Sequence, residues 1–225
     1  MSTCPQLADP ERQLALSYAP PATRRALALL WRLDERMGAI VAAAREPAIG
    51  AMRLLWWRDA LVRLDSAEPP AEPLLIEIAD TLLPAGLSGE SLAAIEEGWA
   101  MLIEEEEPGE AQILGHAQGR GAPVFRLSAQ LLGALPDDAA RAGEGWALAD
   151  LGHRLRYPEA RHLARSLAAE RLGDVDIARW PAALRPLGLL VVLARADAAM
   201  PADAIRRQGS PKRLFRALAY RLTGR

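Results

Sequence analysis

The chain has 225 residues, 51% apolar and 25% charged, with 27 basic side chains against 29 acidic ones. A chain of this length buries roughly 70% of the surface that its unfolded form exposes, so one domain over 1–225 can rest on a hydrophobic core alone. The single cysteine, Cys4, excludes a disulfide framework or a clustered-thiolate metal site, and the near balance of charge excludes a dedicated nucleic-acid binder.

Helical periodicity dominates and strand alternation is nearly absent, so every expected element is a helix. Thr23 is read as the N-cap of a first helix, in which Ala26, Leu30, Leu33, Met37, Ile40, Val41 and Ala44 recur at three- and four-residue steps. Pro47 interrupts it, placing a boundary near Arg45–Glu46 and a second helix from about the proline to Asp65. The stretch Glu68-Pro69-Pro70-Ala71-Glu72-Pro73 leads to a short third helix ending near Leu83. Ser88 caps a fourth, through Trp99 to Glu106, stopped by Pro108–Gly109. A helical stretch over 110–134 is weakened by Gly115, Gly119, Gly121 and Pro123. Pro136, Asp137 and Asp138 have first-turn character, with carboxylates at the positive end of the dipole, for a helix to about Leu155. Further segments fall near 158–171, 181–199 and 211–223, which gives an all-α bundle of about eight helices.

Chemical motifs are sparse. No P-loop, dinucleotide fingerprint, G-x-S-x-G elbow or H-E-x-x-H pair occurs. Gly119-Arg120-Gly121 is too short for a phosphate cradle and lies in a helical context, so it reads as a packing or kink site. His116, His153 and His162 miss metal-ligand spacings, and Pro158 breaks the face that would join the last two. Glu96–Glu97 and the run Glu104 to Glu107 read as a solvated acidic face, and no metal is expected there. Asp34–Glu35 stands beside the apolar stripe, and either points into the bundle or forms an exposed pair with Arg32 or Arg36. Trp56 and Trp57 point about 100° apart on a helix, so either one enters the core while the other partly lines a groove, or both simply pack as large aromatics. Arg53 is spaced to stack on Trp57, and Arg58 flanks the pair.

The segments Thr23-Arg24-Arg25-Ala26-Leu27-Ala28-Leu29-Leu30 and Met52-Arg53-Leu54-Leu55-Trp56-Trp57-Arg58-Asp59-Ala60-Leu61 resemble the squalene/phytoene synthase family. With Arg45-Glu46-Pro47-Ala48-Ile49-Gly50 ahead of the second, the chain is similar to a divergent branch that includes phytoene-synthase-like assembly factors of respiratory complex I. A weaker echo covers Gly115 to Gly133 and Ala142-Gly143-Glu144-Gly145-Trp146-Ala147-Leu148. The resemblance implies an isoprenoid synthase fold. Active members join two prenyl diphosphates head to head, with two acidic motifs holding Mg²⁺ against the leaving diphosphates.

Laid on this chain, the first acidic motif falls at Gly38-Ala39-Ile40-Val41-Ala42, where no acid remains. The second falls near Asp150-Leu151-Gly152-His153-Arg154-Leu155-Arg156-Tyr157-Pro158, where only Asp150 is acidic. The resemblance therefore implies a member without prenyltransferase activity, needing no cofactor, that binds an isoprenoid or lipid or assists complex I assembly. Asp34, Glu35, Arg53, Trp57, Arg58 and Asp150 are the candidate cavity residues. The alternative is an active synthase with Mg²⁺ on displaced ligands such as Asp34, Glu35 and Asp150.

Residues 205–225 carry seven basic side chains and no acid. Leu214, Phe215, Leu218 and Leu222 fall on one side of a short helix, with Lys212, Arg213, Arg216 and Arg221 around the other. That pattern suits an anionic membrane surface, or a terminal helix docked on its own bundle with an arginine-rich outer face. No segment reaches the roughly 18 apolar residues of a membrane span, and Met1 to Asp9 lacks a signal pattern. The expected location is cytoplasmic, with peripheral contact at the inner face of the membrane.

Overall fold

Proline punctuates the chain, and the helices begin where it does. The structure, a computed structural model, describes residues 5–103, 107–201 and 204–224; Cys4, Glu104 to Glu106 of the acidic run, and Arg225 lie outside them. Six helices open on proline: α1 (Pro10–Leu16), α2 (Pro21–Ala43), α3 (Pro47–Arg63), α4 (Pro73–Thr81), α9 (Pro158–Gly173) and α11 (Pro211–Thr223). The preset φ suits a first turn, where the missing N–H would have had no partner. The others are α5 (Gly89–Ala100), α6 (Glu110–His116), α7 (Ala122–Leu131), α8 (Ala139–Arg154) and α10 (Arg185–Ala198). Among the described residues there is no strand, and the architecture is consistent with the isoprenoid synthase fold.

Several expected boundaries move for local reasons. The α1 helix was not anticipated, although Asp9 caps it, its carboxylate accepting from the amides of Glu11 (2.8 Å) and Arg12 (3.1 Å). Thr23 is not an N-cap: it lies inside the first turn of α2 and its hydroxyl donates to the Pro20 carbonyl. Ser88 does cap α5, accepting from the Ser91 amide at 3.1 Å. The helix stops at Ala100, short of the expected end, as the amides of Leu102 and Ile103 turn back to Trp99 and Ala100. The first turn expected at Pro136 is a single turn, its Ala139 amide donating to the Pro136 carbonyl at 3.0 Å, and α8 proper begins at Ala139. There the Asp138 carboxylate accepts from the Asp176 amide and the Trp180 indole (2.7 Å), tying down the connection between α9 and α10.

The central helix is α2. Leu27, Ala28, Leu29, Leu30 and Trp31 are buried in unbroken succession, so this middle stretch is enclosed on all sides, and the Trp31 indole donates to Ser128 of α7 at 3.0 Å. Further along, Leu33, Asp34, Met37 and Gly38 stay buried while Ile40, Val41 and Ala44 become half-exposed. That end of α2 forms one wall of an open cleft.

A π-helical turn, Ala117–Gly121, joins α6 to α7. Its glycines explain its depth. A Cβ on Gly98 of α5 would strike the Arg120 amide nitrogen, and one on Gly121 would strike the Gly143 carbonyl oxygen of α8. Only hydrogen at these positions lets α5 and α8 clamp the turn from both sides. The packing site expected at Gly119-Arg120-Gly121 is therefore present, and it drives the side chain between its glycines into the molecular interior.

Candidate functional site

That side chain, Arg120, is fully buried and joins two carboxylates from helices on opposite sides of it. Its Nε and Nη2 donate to Asp34 of α2 at 2.8 and 3.1 Å, and its Nη1 donates to Asp150 of α8 at 2.9 Å. The guanidinium carbon lies 4.3 Å from the Trp99 ring centre and 4.6 Å from that of Trp146, so aromatic faces cover it.

Asp34 also accepts from Arg12 and from the Trp99 indole (2.8 Å), which satisfies both of its oxygens. Burial alone would raise its pKa, but Arg120 and Arg12 outweigh that and hold it well below the ordinary carboxylate range. Asp150 follows the same logic: burial opposes its charge, while Arg154, Arg120 and Arg206 keep it ionised. Arg154 Nε and Arg206 Nη2 meet Asp150 at 2.8 and 3.2 Å. His116 lies under the cluster, its Nδ1 2.7 Å from the Gly98 carbonyl and its Nε2 3.3 Å from Arg120. Since arginine can only donate, Nε2 accepts and the proton sits on Nδ1. Burial, followed by the Arg120 charge, pushes the His116 pKa down to about 3.

The cluster floors one of two adjoining cavities, of about 390 and 510 Å³, that share Gly38, Ala42, Trp99 and Arg154 in their walls. The first carries most of the charge, with Arg12, Arg120, Arg154 and Arg206 facing Asp9, Asp34 and Glu35. The second is largely apolar, walled by Val41, Leu102, Leu151 and Leu155, and adds Arg156 without an acid. Across the two, five arginines face three carboxylates. The cleft thus has an arginine-lined head end, whose charges are largely paired with Asp34 and Asp150, and a tail end richer in apolar side chains.

A family model for squalene/phytoene synthase matches residues 6–169, and the chain belongs to that family. No curated protein and no solved structure gave a match.

The anticipated site residues divide. Asp34 and Asp150 come together, but not with the expected neighbours. Arg32 and Arg36 pair with Glu77 and Glu72, whereas Asp34 turns inward to Arg12 and Arg120. Glu35 lines the cleft, and its carboxylate accepts from the amides of Ala8 and Asp9 at 2.9 and 3.1 Å. Arg53, Trp57 and Arg58 do not line it. Trp57 is buried in the core beneath Arg36, not Arg53, at 5.6 Å, while Arg53 and Arg58 are exposed and Arg58 pairs with Asp59. Trp56 is the outward member of the pair. Arg12, Trp99, Arg120 and Arg206 were not anticipated as site residues. A signal existed for Arg120, whose flanking glycines announced a close approach; Arg12 and Arg206 reach the site from outside the segments that carried the resemblance.

Magnesium, which the family's chemistry implies, does not fit these residues. A diphosphate-binding metal cluster needs carboxylates with free lone pairs facing one another. Asp34 and Asp150 do face each other, but the Arg120 guanidinium lies between them and Arg12, Arg154 and Arg206 take up the remaining positions. Among the described residues no group of three or more His, Cys, Asp or Glu side chains is placed to hold a metal.

Proposed function

We propose that this protein is a non-catalytic member of the squalene/phytoene synthase family that binds an amphiphile with an anionic head and an isoprenoid-like tail, without a metal. The observation that carries this reading is Arg120, a fixed internal cation bonded to both facing carboxylates. Active relatives must recruit magnesium to such carboxylates before a diphosphate can leave. Here the opposing charges are already matched, so a departing diphosphate would lack the metal ions that neutralise it in active relatives. Binding needs less. Arg154 and Arg206 border both the head end and Asp150, and guanidinium forks suit phosphate oxygens. The leucines and valine beyond them suit a hydrocarbon chain.

The test has two arms. With geranylgeranyl diphosphate and Mg²⁺, no diphosphate release is expected; Mg²⁺-dependent release abolished by Asp34→Ala would instead support the active synthase. With geranylgeranyl phosphate in EDTA, calorimetry should detect binding that Arg154→Glu weakens. Absence of binding would overturn the carrier reading.

The outer face of α3 favours a second, compatible role. Ile49, Met52, Leu55, Trp56 and Val62 are all exposed there, a largely apolar strip, interrupted by Asp59, that suits docking to a protein. An assembly role of the complex I type, suggested by the divergent relatives, would use such a strip. Comigration with complex I subassemblies on native gels, lost in Trp56→Glu, is the expected result.

A further inference from the structure

The α11 helix lies beyond the residues that the family model matches, and it packs the opposite way from an ordinary amphipathic helix. Its buried side chains are Arg213, Ala217 and Tyr220. Arg213 bonds Glu11 of α1 and Asp197 of α10, with Nη2 at 2.7 Å from Glu11 and 3.2 Å from Asp197. Tyr220 lies over Gly188 of α10, where a Cβ would run into its hydroxyl. Tyr18 donates to the Ala217 carbonyl at 3.0 Å. These contacts on α1, α10 and the α1–α2 connection fix which way the helix faces.

The consequence follows from about 100° per residue. Leu214, Phe215, Leu218 and Leu222 fall within one arc directly opposite the buried face, and they are 50%, 73%, 52% and 75% exposed. Lys212 and Arg216 border one edge of that arc, and Arg221 borders the other. Among the described residues from 204 onward there is no acid. Arg213 is therefore not a membrane-surface residue, as the sequence pattern had placed it: it is the buried anchor that turns the leucines outward. The arginine-rich outer face expected for a docked helix is also absent, since the outer face is apolar with basic edges.

We infer that α11 is a docking helix for an anionic lipid bilayer, lying in the interface with its four large apolar side chains among the acyl chains. The charge pattern selects this occupant. Apolar side chains sink just below the headgroups, while lysine and arginine at the edges extend to the lipid phosphates. Each basic residue near such a surface strengthens attachment, and no acid on the helix opposes it. This inference is independent of what the cleft holds.

The experiment uses the full chain with phosphatidylcholine vesicles, with and without phosphatidylglycerol. Co-sedimentation should be at least about tenfold stronger on the anionic vesicles and should weaken as salt is raised. Phe215→Ser with Leu218→Ser should abolish it while leaving thermal unfolding unchanged, because both side chains face outward. The Phe215→Trp variant should gain blue-shifted emission on the same vesicles. Failure to bind anionic vesicles at low salt would overturn the inference. So would binding that the serine pair leaves intact, or a dimer in solution that the serine pair dissolves, which would mean that a second copy covers the strip.

Discussion

Replacing Arg120 by methionine keeps a similar stem but deletes the internal cation, and the structure bounds the result. The change removes three charge-assisted hydrogen bonds, two cation–π contacts and the donor to His116 Nε2. Removing one partner of a buried ion pair costs about 3–5 kcal/mol, because the other charge is stranded. Asp34 retains Arg12 and the Trp99 indole, and Asp150 retains Arg154 and Arg206, so the lower end applies, about 3 kcal/mol. For a domain of this size that lowers Tm by roughly 6–12 °C. Urea unfolding of Arg120→Met, Asp34→Asn and the double variant would isolate the pair. The double variant should lose less than the two singles together, by at least about 1 kcal/mol. Additivity within about 0.5 kcal/mol would mean that Asp34 does not depend on Arg120 and that its carboxylate is free to ligate a metal.

Acidification should unfold the protein early. His116 and His153 are held neutral, pushed down to about 3 and about 4, chiefly by burial, while the unfolded chain protonates them near pH 6.5. The unfolded state therefore binds more protons below about pH 6.5, and stability falls as pH drops, by about 2 kcal/mol from His116 alone by pH 5. In His116→Gln, urea midpoints at pH 7 and pH 5 should move closer together than in wild type. Gly98→Ala forces a Cβ onto the Arg120 amide and should cost about 2–4 kcal/mol, whereas Gly173→Ala, with open space around it, should be nearly neutral by the same assay. Magnesium or EDTA should leave the wild-type Tm unchanged; a rise with magnesium would show that the carboxylates are free to ligate it.

Helix type was legible from α2 onward, though not for α1 or the π-helical turn, because leucine and alanine at helical spacing and proline at first turns are local signals. The boundaries at Pro47, Ser88 and Pro158 were legible for the same reason. The partner of Asp34 was not. Its place beside an apolar stripe left open whether it turns inward or pairs with Arg32 or Arg36; Arg12 is 22 positions away and Arg120 is 86, and no spacing rule links such positions. Arg53, Trp57 and Arg58 failed as cavity residues because the tryptophan pair straddles an outer helix, with one ring in the core and the other in solvent. The orientation of α11 was illegible from its pattern alone. A helix so patterned would ordinarily sink its leucines, and it is Glu11 and Asp197, with the fit of Tyr220 over Gly188 and the bond from Tyr18, that make Arg213 the buried side.

The pairing of Glu11 with Arg213 spans 202 positions, which has a consequence for how the polypeptide is made. At about 5–20 residues per second, some tens of seconds separate the synthesis of these two residues. Throughout that interval Glu11 lacks its permanent counterion, so the docking of α1 stays incomplete although Arg12 can already reach Asp34 of α2. Closure of the bundle is thereby deferred until α11 leaves the ribosome, and interrupted translation products would carry a loose first helix that a protease could sense.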